Sequence, residues 1–304
     1  MLGLVLVGVA FLLRPRLGRV ADLAGQGIEL KPEQAPQLFA LIERVATAVG
    51  APRPQVLMIG YDLNAFTTAV GVRRTRVLNI GLPLWATLEP QERVALLGHE
   101  LGHFVNGDIR RGPLTQVAET TLDRVAHLFD QPEATGEGII GYLTAIITRF
   151  LGWIVATVAR ALQLLIVWTS QRDSQRAEYR ADELAARAGG TDAAVALADH
   201  LVILESIDTV VRREARAGNG MSAWLDAARV ARVNLAPNMP TLRRLSRHTD
   251  VSLFASHPPA GLRAAMLERT PRQAAAVTVA ESDIARIDDE LAVHQKRVLR
   301  ELTH

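Results

Sequence analysis

Apolar positions recur with a helical period over much of the chain. Leu38, Leu41, Ile42 and Val45 share one stripe and predict an amphipathic helix from about Ala35 to Val49, closed by Gly50. Val94, Leu97, Leu101 and Val105 mark a second, from about Pro90 to Asn106. Pro90 suits its first turn, Glu92 its positive dipole end, and Asn106-Gly107 its stop. Ile284, Ile287 and Leu291 predict a terminal helix over about Glu281 to Leu302. Between the first two helices the runs shorten to Gln55–Ile59, Asn64–Val70 and Arg76–Ile80, separated by Gly60-Tyr61-Asp62 and Gly71-Val72-Arg73-Arg74. They predict a small antiparallel sheet. After Thr191 the chain is helical again, broken at Gly218-Asn219-Gly220 and from Pro237 to Pro240. The expected fold class is α+β, mainly helical, and no repeat or low-complexity tract interrupts it.

Apolar residues make up 49% of the chain, enough for one sizeable core. The net charge is only +2, with arginines scattered among acids, which gives no reason to expect nucleic-acid binding. The chain has no cysteine, which excludes disulfides and thiolate metal sites and suits a cytoplasmic active site.

The candidate chemistry sits in the second helix. Gly98-His99-Glu100-Leu101-Gly102-His103 contains H-E-x-x-H, and on a helix residues four apart share a face. Both imidazoles can therefore hold one metal ion with Glu100 beside them as a general base. Val94, Leu97 and Leu101 fall on the opposite side. Catalytic zinc takes three protein ligands, so a third is needed. The metzincin pattern would place glycine and histidine where Asn106 and Ile109 stand, which excludes that class. Asp108, just past the helix end, is one remaining candidate. Glu178 is the other, with Asp182 four residues on and on the same face of a helix ending at Gly189-Gly190. Asp182 is suited to fixing the tautomer of a ligating histidine.

Four segments in order, Asn64-Ala65-Phe66, the H-E-x-x-H run, Glu178-Tyr179-Arg180-Ala181-Asp182, and Ser256-His257-Pro258-Pro259 followed by Arg263, resemble peptidase family M48, the membrane-associated gluzincins. The likeness covers roughly residues 60 to 265. It implies a zincin-type metallopeptidase domain with one Zn2+ per chain, held by His99, His103 and Glu178. Glu100 would be the catalytic base, and Asp182 would hold a ligand from behind. His257 and Arg263 would be catalytic contacts near the site, and Asn64 a substrate contact. The implied activity is endopeptidase cleavage of polypeptides. A catalytically silent, zinc-binding scaffold or assembly subunit is the alternative.

Two apolar stretches bear on location. Leu2–Leu13 falls short of the roughly twenty residues that a bilayer crossing needs. Arg14, Arg16 and Arg19 follow it, and no small-residue cleavage site does, which argues against secretion and places the following residues in the cytoplasm. Gly138–Trp168 is apolar but interrupted by Arg149 and Arg160. If His103 and Glu178 share one zinc, the chain between them crosses a membrane an even number of times, and this stretch is too short for two crossings. The expectation is a re-entrant or in-plane hairpin, or a helix pair buried against the domain or a partner. The expected organisation is a membrane-associated segment over 1–20 and a metallopeptidase domain over 21–304 with an apolar insertion at 138–170. The expected location is a bacterial-type cytoplasmic membrane with the active site on the cytoplasmic side, or else the cytoplasm itself.

Overall fold

The computed structural model describes residues 19–71, 73–106, 121–123, 138–249 and 258–303. Leu2–Leu13, Asp108 and His257 lie outside the described residues. The chain divides into two units, one of Gly18–Ile109 with Gln175–His304, the other of Met1–Leu17 with Arg110–Ser174.

In the larger unit, strands β1 (Gly27–Leu30), β2 (Val56–Gly60), β3 (Ala65–Val70) and β4 (Thr75–Gly81) form one sheet in the order β1-β2-β4-β3. β1 pairs with β2, and β3 with β4, in antiparallel fashion, whereas β2 and β4 run parallel. The sheet is therefore mixed rather than antiparallel, and it gains a strand, β1, too short to show an alternating pattern. The cause lies in the loop after β2. Asp62–Asn64 carries the chain over the end of β4 before β3 runs back, so β2 and β4 point the same way. Gly81 permits this crossing. Its amide donates to the Asn64 carbonyl at 2.8 Å, and a Cβ there would run into the Asp62 and Asn64 carbonyl oxygens.

Leu57, Ile59, Leu78 and Ile80 line one face of the sheet and bury against Leu38, Leu41, Ile42 and Val45 of the Pro36–Val49 helix and Val94, Leu97 and Leu101 of the Pro90–Asn106 helix. Val105, assigned to the same apolar stripe by its spacing, is instead 45% exposed, so the packed face ends at Leu101. The expected hairpin in the apolar insertion is also absent: Gly138–Gly189 is one unbroken helix. No proline falls within it, and isolated glycines such as Gly141 and Gly152 lower helix stability without turning the chain.

Ion pairs fix the entrance of the H-E-x-x-H helix. Arg229 and Arg232, on the Met221–Leu235 helix, hold Glu89 at 2.6 Å and Glu92 at 2.7 Å. Arg93, almost fully buried, reaches Asp288 of the Glu281–Thr303 helix at 2.7 Å, and the Trp85 indole donates to the same carboxylate at 3.0 Å. His200 completes this frame. An arginine can only donate, so the 2.6 Å contact from Arg232 Nη2 makes His200 Nδ1 an acceptor, and Nε2–H faces Thr87 Oγ1 at 3.3 Å.

Burial and then the Arg232 charge push the His200 imidazole down to about 3. The unfolded chain takes up this proton near pH 6.5, whereas the folded chain refuses it until about 3. Its contribution to stability is therefore full above 6.5 and falls as the pH drops. At pH 5 the loss is about 2 kcal/mol. Thermal melting of His200→Gln should show a correspondingly smaller drop between pH 7 and pH 5 than the unsubstituted chain, and equal drops would contradict this assignment.

Candidate metal centre and active site

Within the larger unit, the Pro90–Asn106 helix and the end of the Gly138–Gly189 helix from Gln175 on bring the candidate ligands together, and small residues let them approach. A Cβ on Gly98 would stand 2.7 Å from the Ala188 Cβ and 3.0 Å from the Leu184 carbonyl oxygen, and one on Gly102 would stand 3.1 Å from the Ala181 Cα. A side chain at Gly98 pushes the helices apart, and one at Gly102 makes its neighbours give by a few tenths of an ångström. These glycines are site residues that motif reading passed over. The available signal was their four-residue spacing within the motif, matched by Ala177, Ala181 and Ala185 on the facing helix.

Across this seam His99, His103 and Glu178 each offer an atom, all within 4.8 Å of one another. The two Nε2 atoms are 3.3 Å apart. Glu178 Oε2 lies 3.5 Å from His99 Nε2, and Oε1 lies 3.6 Å from His103 Nε2. The rings meet edge to face, at 89°. Behind His99, Asp182 Oδ1 sits 3.1 Å from Nδ1. With Nδ1–H donated to that carboxylate, Nε2 keeps its lone pair for the space shared with His103 and Glu178. Arg263 Nη2 also lies 3.2 Å from Nδ1, but a guanidinium offers no acceptor, so Asp182 is the partner of that hydrogen.

Arg263, on the Ala260–Arg269 helix, sets both Nε, at 2.8 Å, and Nη2, at 2.6 Å, on Asp182. It is 6% exposed and has Glu178 Oε2 3.7 Å from Nη1. Burial disfavours its charge, but Asp182, Glu178 and Glu100 more than offset this and keep it protonated. Burial likewise raises the Asp182 carboxyl, and the Arg263 charge and hydrogen bonds outweigh that, holding it below the usual carboxylate range.

At His99, burial and the Arg263 charge favour the neutral ring. Hydrogen bonds to Asp182 and Glu178 prevail and raise it to about 9. The pocket thus prefers a cation at the His99 nitrogen, and a divalent metal can take the proton's place. Two imidazoles and one carboxylate, with a further carboxylate behind the first imidazole, are a donor set suited to a metal such as zinc.

Glu100 is buried on the same helix turn, and its carbonyl accepts a hydrogen bond from Thr67 Oγ1 of β3 at 3.2 Å. Among the described residues β3 is an edge strand of the sheet, so the site lies beside a strand at the sheet's edge. Asn64 stands exposed immediately before that strand. The structure therefore brings His99, Glu100, His103, Glu178, Asp182 and Arg263 into one cluster and places Asn64 at the head of the neighbouring strand.

Comparison with known proteins assigns the chain to a family. The family model described as peptidase family M48 matches residues 32–271. Protease HtpX of Pseudomonas putida strain GB-1 is 28% identical over 183 residues, covering 56% of this chain and 57% of that protein. A Protease HtpX of Pseudomonas fluorescens is 29% identical over 171 residues, 52% of this chain and 53% of the relative. A Protease HtpX homolog of Desulforapulum autotrophicum is 26% identical over 253 residues, 80% of this chain and 71% of the relative. The chain thus spans little more than half the length of the two Pseudomonas relatives. No solved structure gives a significant match. With the family model covering most of its length, the chain belongs to peptidase family M48.

Proposed function

We propose that the chain is a zinc-dependent endopeptidase that cleaves polypeptides at the cytoplasmic surface of a membrane. The observation that carries this reading is the convergence of His99, His103 and Glu178 from two helices, with Glu100 on the same helix as the histidines and an edge strand alongside. Held by His99 Nε2, His103 Nε2 and the Glu178 carboxylate, zinc would supply Lewis acidity to the scissile carbonyl and to the attacking water.

The chain's own residues do the rest. An extended peptide pairs its backbone with the open edge of Ala65–Val70, and Asn64 binds it at one end. Glu100 accepts the proton of the attacking water and returns it to the leaving amine. Asp182 holds the His99 ring with Nε2 turned inward, and Arg263 holds Asp182. Arg263 is thereby a positioning residue rather than a contact to the oxyanion. His257, which follows from the family resemblance alone, remains the proposed oxyanion contact.

The membrane assignment draws on Ile146–Ile166, the helix stretch long and apolar enough to cross a bilayer among the described residues, and on the arginines after Leu2–Leu13. Incubation of the purified chain with an unfolded protein such as reduced casein tests the activity. Fragments should appear, vanish on chelation, and return with zinc added in slight excess. Cleavage that survives complete metal removal would contradict the reading.

A further inference from the structure

The stretch Ile146–Ile166 is exposed almost all the way round: only 17% of its most apolar window is buried. By length and composition alone it would pass for a membrane crossing. The shared site excludes that. His99 and His103 precede this stretch and Glu178 follows it, yet all three meet in one cluster. The chain between them must leave and return on one side of any bilayer. From Gly107 to Glu137 it carries Asp108, Arg110, Arg111, Glu119, Asp123 and Arg124 among other charges, and this composition cannot supply a second crossing.

The residues of the helix sort by direction. At 100° per residue, Arg149 and Arg160 fall within about 20° of each other. On one side of them lie Gly152, Ala156 and Ala159, all buried. On the other lies a continuous exposed apolar arc of about 140°, running from Phe150 through Ile154, Leu165, Val158, Leu151 and Leu162 to Val155. Trp153, 61% exposed and stacked on Phe150 at 6.1 Å, stands at the border between the arginines and the arc. A helix that crosses a bilayer meets hydrocarbon on every exposed face and has no use for an exposed cation such as Arg160, four residues from the midpoint of the stretch. A helix lying in the plane of the interface needs this order: arginine at the anionic headgroups, tryptophan at the boundary, aliphatic residues below.

We propose that Ile146–Ile166 docks in the plane of an anionic membrane surface, apolar arc down and Arg149 and Arg160 at the headgroups, and does not cross the bilayer. The parity step rests on the shared metal site proposed above.

Because the chain lacks cysteine, single cysteines can be placed one at a time along the helix of the full protein, labelled with a small fluorophore, and exposed to vesicles of phosphatidylcholine and phosphatidylglycerol with brominated acyl chains. Leu2–Leu13 could hold the chain on a vesicle by itself, so depth at each helix position is the readout. In-plane docking gives quenching that oscillates every three to four residues, strongest at Ile154, Val158 and Leu165 and weakest at Arg149 and Arg160. A crossing gives quenching that peaks at mid-helix and falls toward both Ile146 and Ile166 whatever the face. No quenching at any position means that a protein partner or a second copy covers the arc. Either of the last two results overturns the proposal.

Arg149→Gln should weaken association with these vesicles about fivefold and leave association with pure phosphatidylcholine unchanged. Equal effects on both would remove the headgroup role. Zinc content measured on the same samples separates the two readings. Full zinc with a crossing profile rejects the docking alone, and absent zinc with a periodic profile rejects the metal site alone.

Discussion

Glu100→Gln is expected to bind as much zinc as the unsubstituted chain and to cleave about 10²- to 10⁴-fold more slowly. Glu100 is no member of the converging ligand cluster, so replacing one carboxylate oxygen by an amide leaves the three donor atoms in place. The amide cannot accept the water's proton, and the same lost group must later deliver a proton to the amine. Both halves of the reaction therefore suffer from one change. The variant should fold normally, because glutamine preserves the shape of a side chain whose residue is 6% exposed. Initial rates on casein, with metal content measured on the same sample, check both halves of the expectation. Residual activity within tenfold would remove Glu100 from its role.

Arg263→Met should act on stability and on metal affinity together. It leaves the Asp182 carboxylate, 3% exposed, without its cation. Stranding one partner of a buried pair costs about 3–5 kcal/mol, and loosening the group that orients a ligating histidine costs about 10- to 100-fold in metal affinity. Arg263→Lys retains the charge but not the two-nitrogen fork, and should fall between the two. The pH dependence has a definite sign. The folded Asp182 carboxyl lies below its unfolded value of about 3.9, so its stabilising contribution is full above that value and is lost as the pH falls through the lower folded one. In Arg263→Met that contribution disappears, and so does its share of acid lability. Denaturant titrations at pH 7 and pH 3.5, with zinc competition against a chromophoric chelator, read both effects. A variant as stable as the unsubstituted chain, with unchanged affinity, would reduce Arg263 to a bystander.

The site was more legible in the sequence than the fold around it. H-E-x-x-H states its own geometry, because a four-residue spacing on a helix dictates one face. Glu178 and Asp182 were legible as one of two candidate ligand positions from their spacing on one helix face, and the family resemblance favoured them over Asp108. The fork from Arg263 to Asp182 joins residues eighty-one apart in sequence and left no local trace. The sheet's parallel pair was hidden for a similar reason: strand periodicity shows which residues alternate, not how a four-residue loop crosses the end of a strand. The hairpin expected in Gly138–Trp168 joined a parity argument to a local reading of the arginines as breaks, and the unbroken Gly138–Gly189 helix overturns the local reading. The even number of crossings can be zero, and an unbroken helix satisfies it as well as a hairpin does. The seam of Gly98 and Gly102 against Ala181 and Ala185 was written plainly in small residues at four-residue spacing, though only the facing helix gives that spacing its meaning.

Zinc per chain, measured by elemental mass spectrometry on the purified protein and on Glu178→Ala after a mild chelator wash, tests the proposed centre most directly. The account predicts about one zinc per unsubstituted chain and clear loss in the variant, because among the described residues Glu178, on the facing helix, is the ligand that joins the two histidines. Zinc retained in full by a folded Glu178→Ala, or no zinc in the folded unsubstituted chain, would contradict it.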